Sequence, residues 1–136
     1  AGPRGDAVRT LLHQYNVDNL VENAPHDPGG DTSYTIDKGA VLALCLRAKS
    51  PAGLGPAAAA IHRADMLTFV TFHELAHLAI RENQHPLAFW RTFKFLLLEA
   101  QAAGLPAGAD YGRRPAQYCG MEINYNPVYD SRIREI

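Results

Sequence analysis

Residues 71–90 read TFHELAHLAIRENQHPLAFW, and the first half of this segment sets an H-E-x-x-H motif in an apolar run. From residue 67 to residue 80 the sequence is LTFVTFHELAHLAI, without Gly or Pro. A run of this length that is apolar nearly all round predicts a buried helix. On this helix His73 and His77 stand one turn apart on one face, while Glu74 projects about 100° away.

These three side chains predict a metal centre. Two imidazoles and a carboxylate are costly to bury without a partner, and a divalent cation suits all three. We therefore predict one zinc ion on His73 and His77, because zinc accepts neutral imidazole nitrogen and leaves a position for water. Glu74 would be the general base that takes a proton from this water. The alternative is a helix whose two histidines and glutamate are satisfied by hydrogen bonds in the core.

A third ligand is expected where the chain turns back after the motif. Residues 81–84, RENQ, form a polar break, and Pro86 suits the first turn of a new helix over residues 87–103. His85 lies at this turn, so we predict it as the third zinc ligand, with Glu99 on the following helix as the alternative. His62 stands about three helical turns before His73, some 16 Å away along the axis, and cannot reach the same ion.

The remaining segments predict an α+β fold in a single domain, residues 1–136. Residues 7–15 have the spacing of a short amphipathic helix with Asp6 as its N-cap, and residues 17–30 are expected to be loop. Residues 33–47, SYTIDKGAVLALCLR, predict a hairpin of strands 33–36 and 40–47 around Asp37-Lys38-Gly39. We expect a small zincin-like domain, in which a short mixed or antiparallel sheet with this hairpin packs on the buried motif helix and a following helix.

The tail, residues 105–136, supplies one further candidate for the site. A Tyr hydroxyl near the metal could stabilise the oxyanion of a tetrahedral intermediate, and we predict Tyr118 in this role. Met121 is expected to pack in the core or to form an apolar floor under the metal. Cys45 is expected to be a small core residue, and Cys119 a packed thiol.

Composition limits the partners and the compartment. The chain has 13 basic and 14 acidic residues, a net charge of −1, so no overall field attracts nucleic acid or an anionic membrane. Two cysteines without a C-x-x-C motif favour a reducing intracellular compartment, nuclear or cytoplasmic. No segment is apolar enough for a membrane helix, and no signal peptide is recognisable. We expect a monomer that is an excised catalytic domain, since the sequence begins with AGPRGD rather than Met.

The motif HELAH followed by HPLAFW, residues 85–90, resembles the WLM and SprT-like metallopeptidases. The apolar strand AVLALCLR before the motif is similar to a strand of WLM domains, so the resemblance covers residues 35–103. Seven residues separate His77 from His85, a longer spacer than WLM sites usually have. The resemblance implies a zinc-dependent endopeptidase that acts on proteins crosslinked to DNA. It also implies DNA contacts through missing extensions or a local basic patch, for which the candidates are Arg47, Arg63, Arg81, Arg91, Lys94, Arg113 and Arg114.

The function predicted from the sequence is therefore hydrolysis of peptide bonds in protein substrates, with zinc on His73, His77 and His85 and with Glu74 as the base. Two alternatives remain open. One is a regulatory or scaffold module that keeps the zincin-like fold without hydrolysis. The other is a zinc hydrolase of a non-peptide substrate.

Overall fold

The computed structural model describes residues 2–23, 33–47, 62–81 and 86–136, and these residues form an α+β structure. The described part has three α-helices and two small sheets, which confirms the predicted fold class. The helices are α1 (Gly2–Gln14), α2 (Ala64–Ala79) and α3 (Pro86–Ala102). The strands are β1 (Leu20–Glu22), β2 (Tyr34–Ile36), β3 (Val41–Leu44), β4 (Ala116–Tyr118) and β5 (Met121–Ile123). Short 3₁₀ helices cover Val17–Asn19 and Pro127–Tyr129.

The first sheet is mixed and has the strand order β1-β3-β2. β3 pairs antiparallel with β2 and parallel with β1, where Leu20 lies opposite Leu42. As the central strand, β3 buries Leu42, Ala43 and Leu44. This agrees with its nearly continuous apolar sequence, because a strand covered on both faces needs no polar alternation.

The predicted hairpin between β2 and β3 is confirmed. Asp37 and Lys38 have φ values of 48° and 54°, and the Gly39 amide donates to the Ile36 carbonyl at 3.1 Å. Two successive residues in the left-handed region define a type I′ turn over residues 36–39, within the four-residue loop between the paired residues Ile36 and Val41. Gly39 follows with φ 110°, and a Cβ there would lie 2.6 Å from the Gln14 carbonyl oxygen. The turn therefore requires glycine at position 39.

Two predictions about the N-terminal segment are wrong. α1 begins at Gly2, so Asp6 lies inside the helix, where it pairs with Arg9 instead of serving as the N-cap. Residues 17–30 were predicted as loop, but Leu20–Glu22 forms the edge strand β1. This strand is held by pairing with β3, a partner distant in sequence, so local turn signals did not reveal it.

The core is built around α2, which is in contact with α1, with α3 and with the sheet. On one side of α2, Met66, Phe69 and Val70 pack in a cluster with Phe93 and Leu97 of α3. On the other side, Leu78 packs with Leu42 and Leu44 of β3. The predicted buried helix over residues 67–80 is thus observed as Ala64–Ala79.

The C-terminal half contains the second predicted helix and a second small sheet. α3 begins at Pro86, as the fixed φ of proline at a first helical turn predicts. β4 and β5 form a hairpin through Cys119 and Gly120, which have φ values of 45° and 81°. Across the described residues, no helix is both long and apolar enough to cross a membrane.

Candidate functional site

α2 places His73, Glu74 and His77 along one stretch of buried helix. The two imidazole rings lie with their centroids 5.0 Å apart and their planes at 74°. This close approach follows from the spacing of four residues, which brings side chains together on one face of a helix. The sequence prediction that the two histidines share a face agrees with this geometry.

An aromatic wall from α3 covers both histidines. The ring of His77 is stacked on Phe89 at 4.4 Å, and His73 meets Phe89 and Phe93 edge to face at 5.0 and 5.3 Å. Burial, followed by the neighbouring His77, lowers the pKa of His73 to about 4. Burial, followed by the charge of Lys38, also lowers the pKa of His77. Both imidazoles are therefore uncharged at neutral pH.

Glu74 is a buried carboxyl group, with only 7% of the residue exposed. Among the described residues, nothing donates a hydrogen bond to its carboxylate or pairs with it as an ion. Burial raises the pKa of Glu74 to about 7, because the apolar surroundings disfavour the charged form. The carboxyl thus exchanges its proton near neutral pH, as a general base requires.

A cavity of about 130 Å³ opens beside Glu74. Its polar lining comes from His73, Glu74, Ser33 and Tyr118. Its apolar lining comes from both helix α2 and strand β5, through Phe69, Val70, Met121 and Ile123. The structure therefore brings the predicted base, one predicted imidazole and the predicted tyrosine to one cavity.

The hydroxyl of Tyr118 is fully engaged inside the protein. Tyr118 is 1% exposed, and its hydroxyl donates to the Cys45 carbonyl at 2.7 Å. The Ser33 hydroxyl lies 2.5 Å from it and accepts from the Cys45 amide at 2.9 Å. Burial raises the pKa of Tyr118 to about 12, so its proton stays in place. Because a phenol has one proton, this network leaves none for an oxyanion, and the predicted role of Tyr118 gains no support from this geometry.

The predicted zinc cofactor is contradicted. Within residues 2–23, 33–47, 62–81 and 86–136, no group of three or more His, Cys, Asp or Glu side chains could hold a metal ion. In the described segments, aromatic rings rather than a third donor lie next to His73 and His77. Glu99, the alternative third ligand, is exposed on α3 and joins no such group. His85, the predicted third ligand, lies outside the described residues.

Both cysteines are buried in the core, as predicted, but the expectation that they are separate thiols is wrong. Cys45 and Cys119 form a disulfide, with a sulfur–sulfur distance of 1.96 Å and Cα atoms 6.6 Å apart. It joins the end of β3 to the turn between β4 and β5. The prediction of a reducing compartment assumed that both thiols are free, so the disulfide leaves this prediction without its basis.

His62 lies beside this disulfide instead of on the motif helix. It precedes α2, and its Nε2 is 3.2 Å from the Cys119 sulfur, with its ring 4.9 Å from that of Tyr118. Since a disulfide sulfur has no proton, the imidazole is the only possible donor in this contact. The sequence spacing predicted that His62 cannot reach the same site as His73 and His77. Its position beside Cys119 and Tyr118 agrees with this prediction.

Sequence reasoning missed Ser33 and most of the cavity lining. Ser33 orders Tyr118, but a serine before a strand carries no signal of such a partner. Phe69 and Val70 are part of the apolar pattern of α2, which indicates burial without revealing a cavity. Met121 was predicted to pack in the core or to form a floor under the metal; it is 43% exposed rather than in the core, and it borders the cavity.

Several of the basic side chains considered for a DNA-binding patch have partners within the chain. The guanidinium of Arg47 donates to both carboxylate oxygens of Glu22, at 2.9 and 3.1 Å. The ammonium of Lys94 donates to the carbonyls of Asp130 and Ile133 at 2.9 and 2.7 Å. DNA binding remains a prediction.

The fold and the site define an α+β protein with a partly buried His-Glu-His helix. No protein-family model matches the chain. It is 39% identical over 105 residues to a protein of Acanthamoeba polyphaga mimivirus named "Uncharacterized protein R325". The match covers 77% of this chain and 49% of the relative, so the chain spans about half the length of the curated relative it matches. No solved structure matches.

Proposed function

We propose that this chain hydrolyses peptide bonds in protein substrates, with Glu74 as the general base. The observation that carries the proposal is a buried carboxylate that borders a cavity and has no partner among the described residues. The H-E-x-x-H spacing is typical of peptidases, in which the glutamate accepts a proton from the attacking water. The proposal assigns no cofactor.

The energetic cost of Glu74 supports a chemical role. A carboxylate that is desolvated without a compensating partner destabilises the folded state, and a neutral side chain of equal size would not. Such groups occur mainly at functional sites, where the same desolvation makes the carboxylate a stronger base. A residue that only filled the core would have no need of this charge.

In the proposed reaction a water molecule beside the Glu74 carboxylate attacks the carbonyl carbon of the scissile peptide bond. Glu74 accepts a proton from this water and delivers it to the nitrogen of the leaving amine as the carbon–nitrogen bond breaks. His73, uncharged at neutral pH, offers one ring N–H donor in the same cavity. Phe89 and Phe93 shield the imidazoles from bulk water, which strengthens polar interactions with the substrate.

We further propose that the domain is zincin-like and that its substrates include proteins crosslinked to DNA. The order of a hairpin, the motif helix α2 and the helix α3 supports a small zincin-like domain. The resemblance to WLM and SprT-like domains supports, as substrates, proteins crosslinked to DNA.

Cleavage of an unfolded protein tests the proposal. Casein and histone are incubated with wild type, Glu74→Gln and Glu99→Gln, each with and without single-stranded DNA. We expect cleavage by wild type and by Glu99→Gln, whose substitution lies on the exposed face of α3, and at least about 100-fold slower cleavage by Glu74→Gln. Equal cleavage by Glu74→Gln would remove Glu74 from the chemistry. Faster cleavage of histone with DNA would support the crosslink substrate, and equal rates would count against it.

A scaffold module without hydrolysis is the second candidate, and the packing of the histidines favours it. Both rings contact aromatic side chains of α3, as structural core residues do. This candidate predicts no cleavage by wild type and full stability in His73→Phe. The peptidase proposal predicts cleavage by wild type and its loss in His73→Phe.

A further inference from the structure

The cavity beside Glu74 has the size of one side chain. Its volume is about 130 Å³. In another protein, an apolar cavity of about 150 Å³ admits a benzene molecule. The cavity is therefore large enough for a leucine or methionine side chain and too small for the indole of tryptophan.

Most of the surface that lines the cavity is apolar. The Ser33 and Tyr118 hydroxyls bind each other and the Cys45 backbone, so they offer little to a polar guest. Phe69, Val70 and Ile123 supply apolar surface that would be removed from water when an aliphatic group enters. The remaining polar groups of the wall are His73 and Glu74, so a cationic guest would find its ionic partner in the Glu74 carboxylate, and any other charged guest would lose its hydration at a cost.

We propose that this cavity receives one aliphatic side chain of the protein substrate, of the size of leucine or methionine, next to the peptide bond that is cleaved. The inference rests on the proposed function, because Glu74 borders the same cavity. A lysine or arginine in the cavity would pair with the Glu74 carboxylate and occupy the base. An aliphatic side chain leaves this carboxylate free to act on water.

The walls of the cavity are held in place before a substrate arrives. The disulfide between Cys45 and Cys119 and the hydroxyl network of Tyr118 fix the β4–β5 hairpin against β3. Preorganised walls spare the substrate an ordering cost. Met121 at the border is 43% exposed, and its flexible thioether adapts to guests of different shape. Met121 is therefore the border residue at which a rigid or shorter side chain should change which guests fit.

Two substitutions at Met121 test the inference without disturbing the core. Met121→Ala widens the border of the cavity and Met121→Trp narrows it, while Ile36→Ala, at a strand residue exposed to 46%, is the matched control. Cleavage sites in casein are mapped by mass spectrometry. In parallel, we measure the binding of capped tetrapeptides to Glu74→Gln and to this variant combined with each Met121 substitution. The four peptides differ only at one central residue, which is Leu, Ala, Lys or Phe.

We expect wild type and Ile36→Ala to prefer Leu or Met beside the cut by at least about tenfold over Ala in kcat/KM. Met121→Ala should shift the preference toward Phe, and Met121→Trp should shift it toward Ala. Cleavage with no preference, with a preference for Lys, or with a preference unchanged by both substitutions would overturn the inference and leave the peptidase proposal intact. Without cleavage the peptidase proposal fails, and with it the placement of the side chain beside a cleaved bond. Tighter binding of the Leu peptide that Met121→Trp abolishes would then uphold only the aliphatic site in the cavity, and equal binding of the four peptides would overturn that site as well.

Discussion

Glu74→Gln is expected to stabilise the protein above pH 7 while it abolishes cleavage. The pKa of this carboxyl is about 7 in the folded chain, against 4.5 for an ordinary glutamate. Because the folded-state pKa is raised, Glu74 imposes no cost below pH 4.5 and destabilises the folded state progressively as the pH rises from 4.5 to 7. Glutamine has nearly the same shape and does not ionise, so the variant escapes this cost.

The magnitude follows from the two pKa values. Ionising Glu74 in the folded state costs about 3 kcal/mol more than in the unfolded state once the pH is above 7. Between pH 5 and pH 8, the stability of the variant relative to wild type should therefore increase by about 2.5 kcal/mol. His73, with its pKa lowered to about 4 from 6.5, acts in the opposite direction, because stability is regained as the pH rises from 4 to 6.5. Both proteins contain His73, so its contribution cancels in the comparison.

Urea unfolding followed by the fluorescence of Trp90, the single tryptophan of the chain, provides the measurement. Free energies of unfolding are compared at pH 5, 6, 7 and 8 for wild type, Glu74→Gln and Glu99→Gln. The exposed Glu99 serves as the control, and this variant should follow wild type at every pH. A difference between Glu74→Gln and wild type that stays constant from pH 5 to pH 8 would refute the reasoning. The folded carboxyl would then ionise at its ordinary pKa, and the argument from an unpartnered buried charge would be lost.

Three further predictions concern the framework around the site. Replacing Cys45 and Cys119 with Ala should lower the free energy of unfolding by about 4 kcal/mol, because the disulfide closes a loop with a sequence separation of 74; equal urea midpoints would contradict this. Tyr118→Phe should cost about 1–2 kcal/mol, and in a double-mutant cycle with Ser33→Ala the two losses should be less than additive; full additivity would exclude the hydroxyl network. Gly39→Ala should lower the melting temperature through a loss of at least about 1 kcal/mol, since position 39 has φ 110° and no room for a Cβ; an unchanged melting temperature would show that the turn can relax.

Glu74 also illustrates how stability and function can oppose each other. The buried Glu74 carboxylate, which has no partner in the described part of the chain, lowers stability at neutral pH, and the disulfide and the aromatic core are features that offset such a cost. If Glu74 served only the core, glutamine would be the better residue. The combined outcome of higher stability and lost cleavage in Glu74→Gln would therefore separate a chemical role from a structural one.

The zinc prediction shows why a local motif is not sufficient for a metal site. The spacing of His73 and His77 guarantees that two imidazoles meet on α2, because it depends only on helical periodicity. A third donor must come from another segment, and its position depends on how that segment packs. In the described part of the chain, the side chains that face the histidines from α3 are the aromatic residues Phe89, Trp90 and Phe93.

The sequence by itself determined the features that arise from neighbouring residues. Three features could be predicted in this way: the buried helix α2, the start of α3 at Pro86 and the turn at Asp37-Lys38-Gly39. They follow from helical periodicity, from the fixed φ of proline and from the ability of Asp and Gly to adopt a left-handed φ, all of which act over a few residues. The same periodicity placed Glu74 beside the two histidines.

Only the tertiary structure decided the contacts between distant segments. The pairing of β1 with β3, the bond between Cys45 and Cys119, and the hydroxyl contact of Ser33 with Tyr118 each join segments at least 20 residues apart. The cavity likewise forms only where α2 meets β5. These features depend on how separate elements pack, and the free energy that selects one packing over another is shared by the whole core, so no local pattern in the sequence records it.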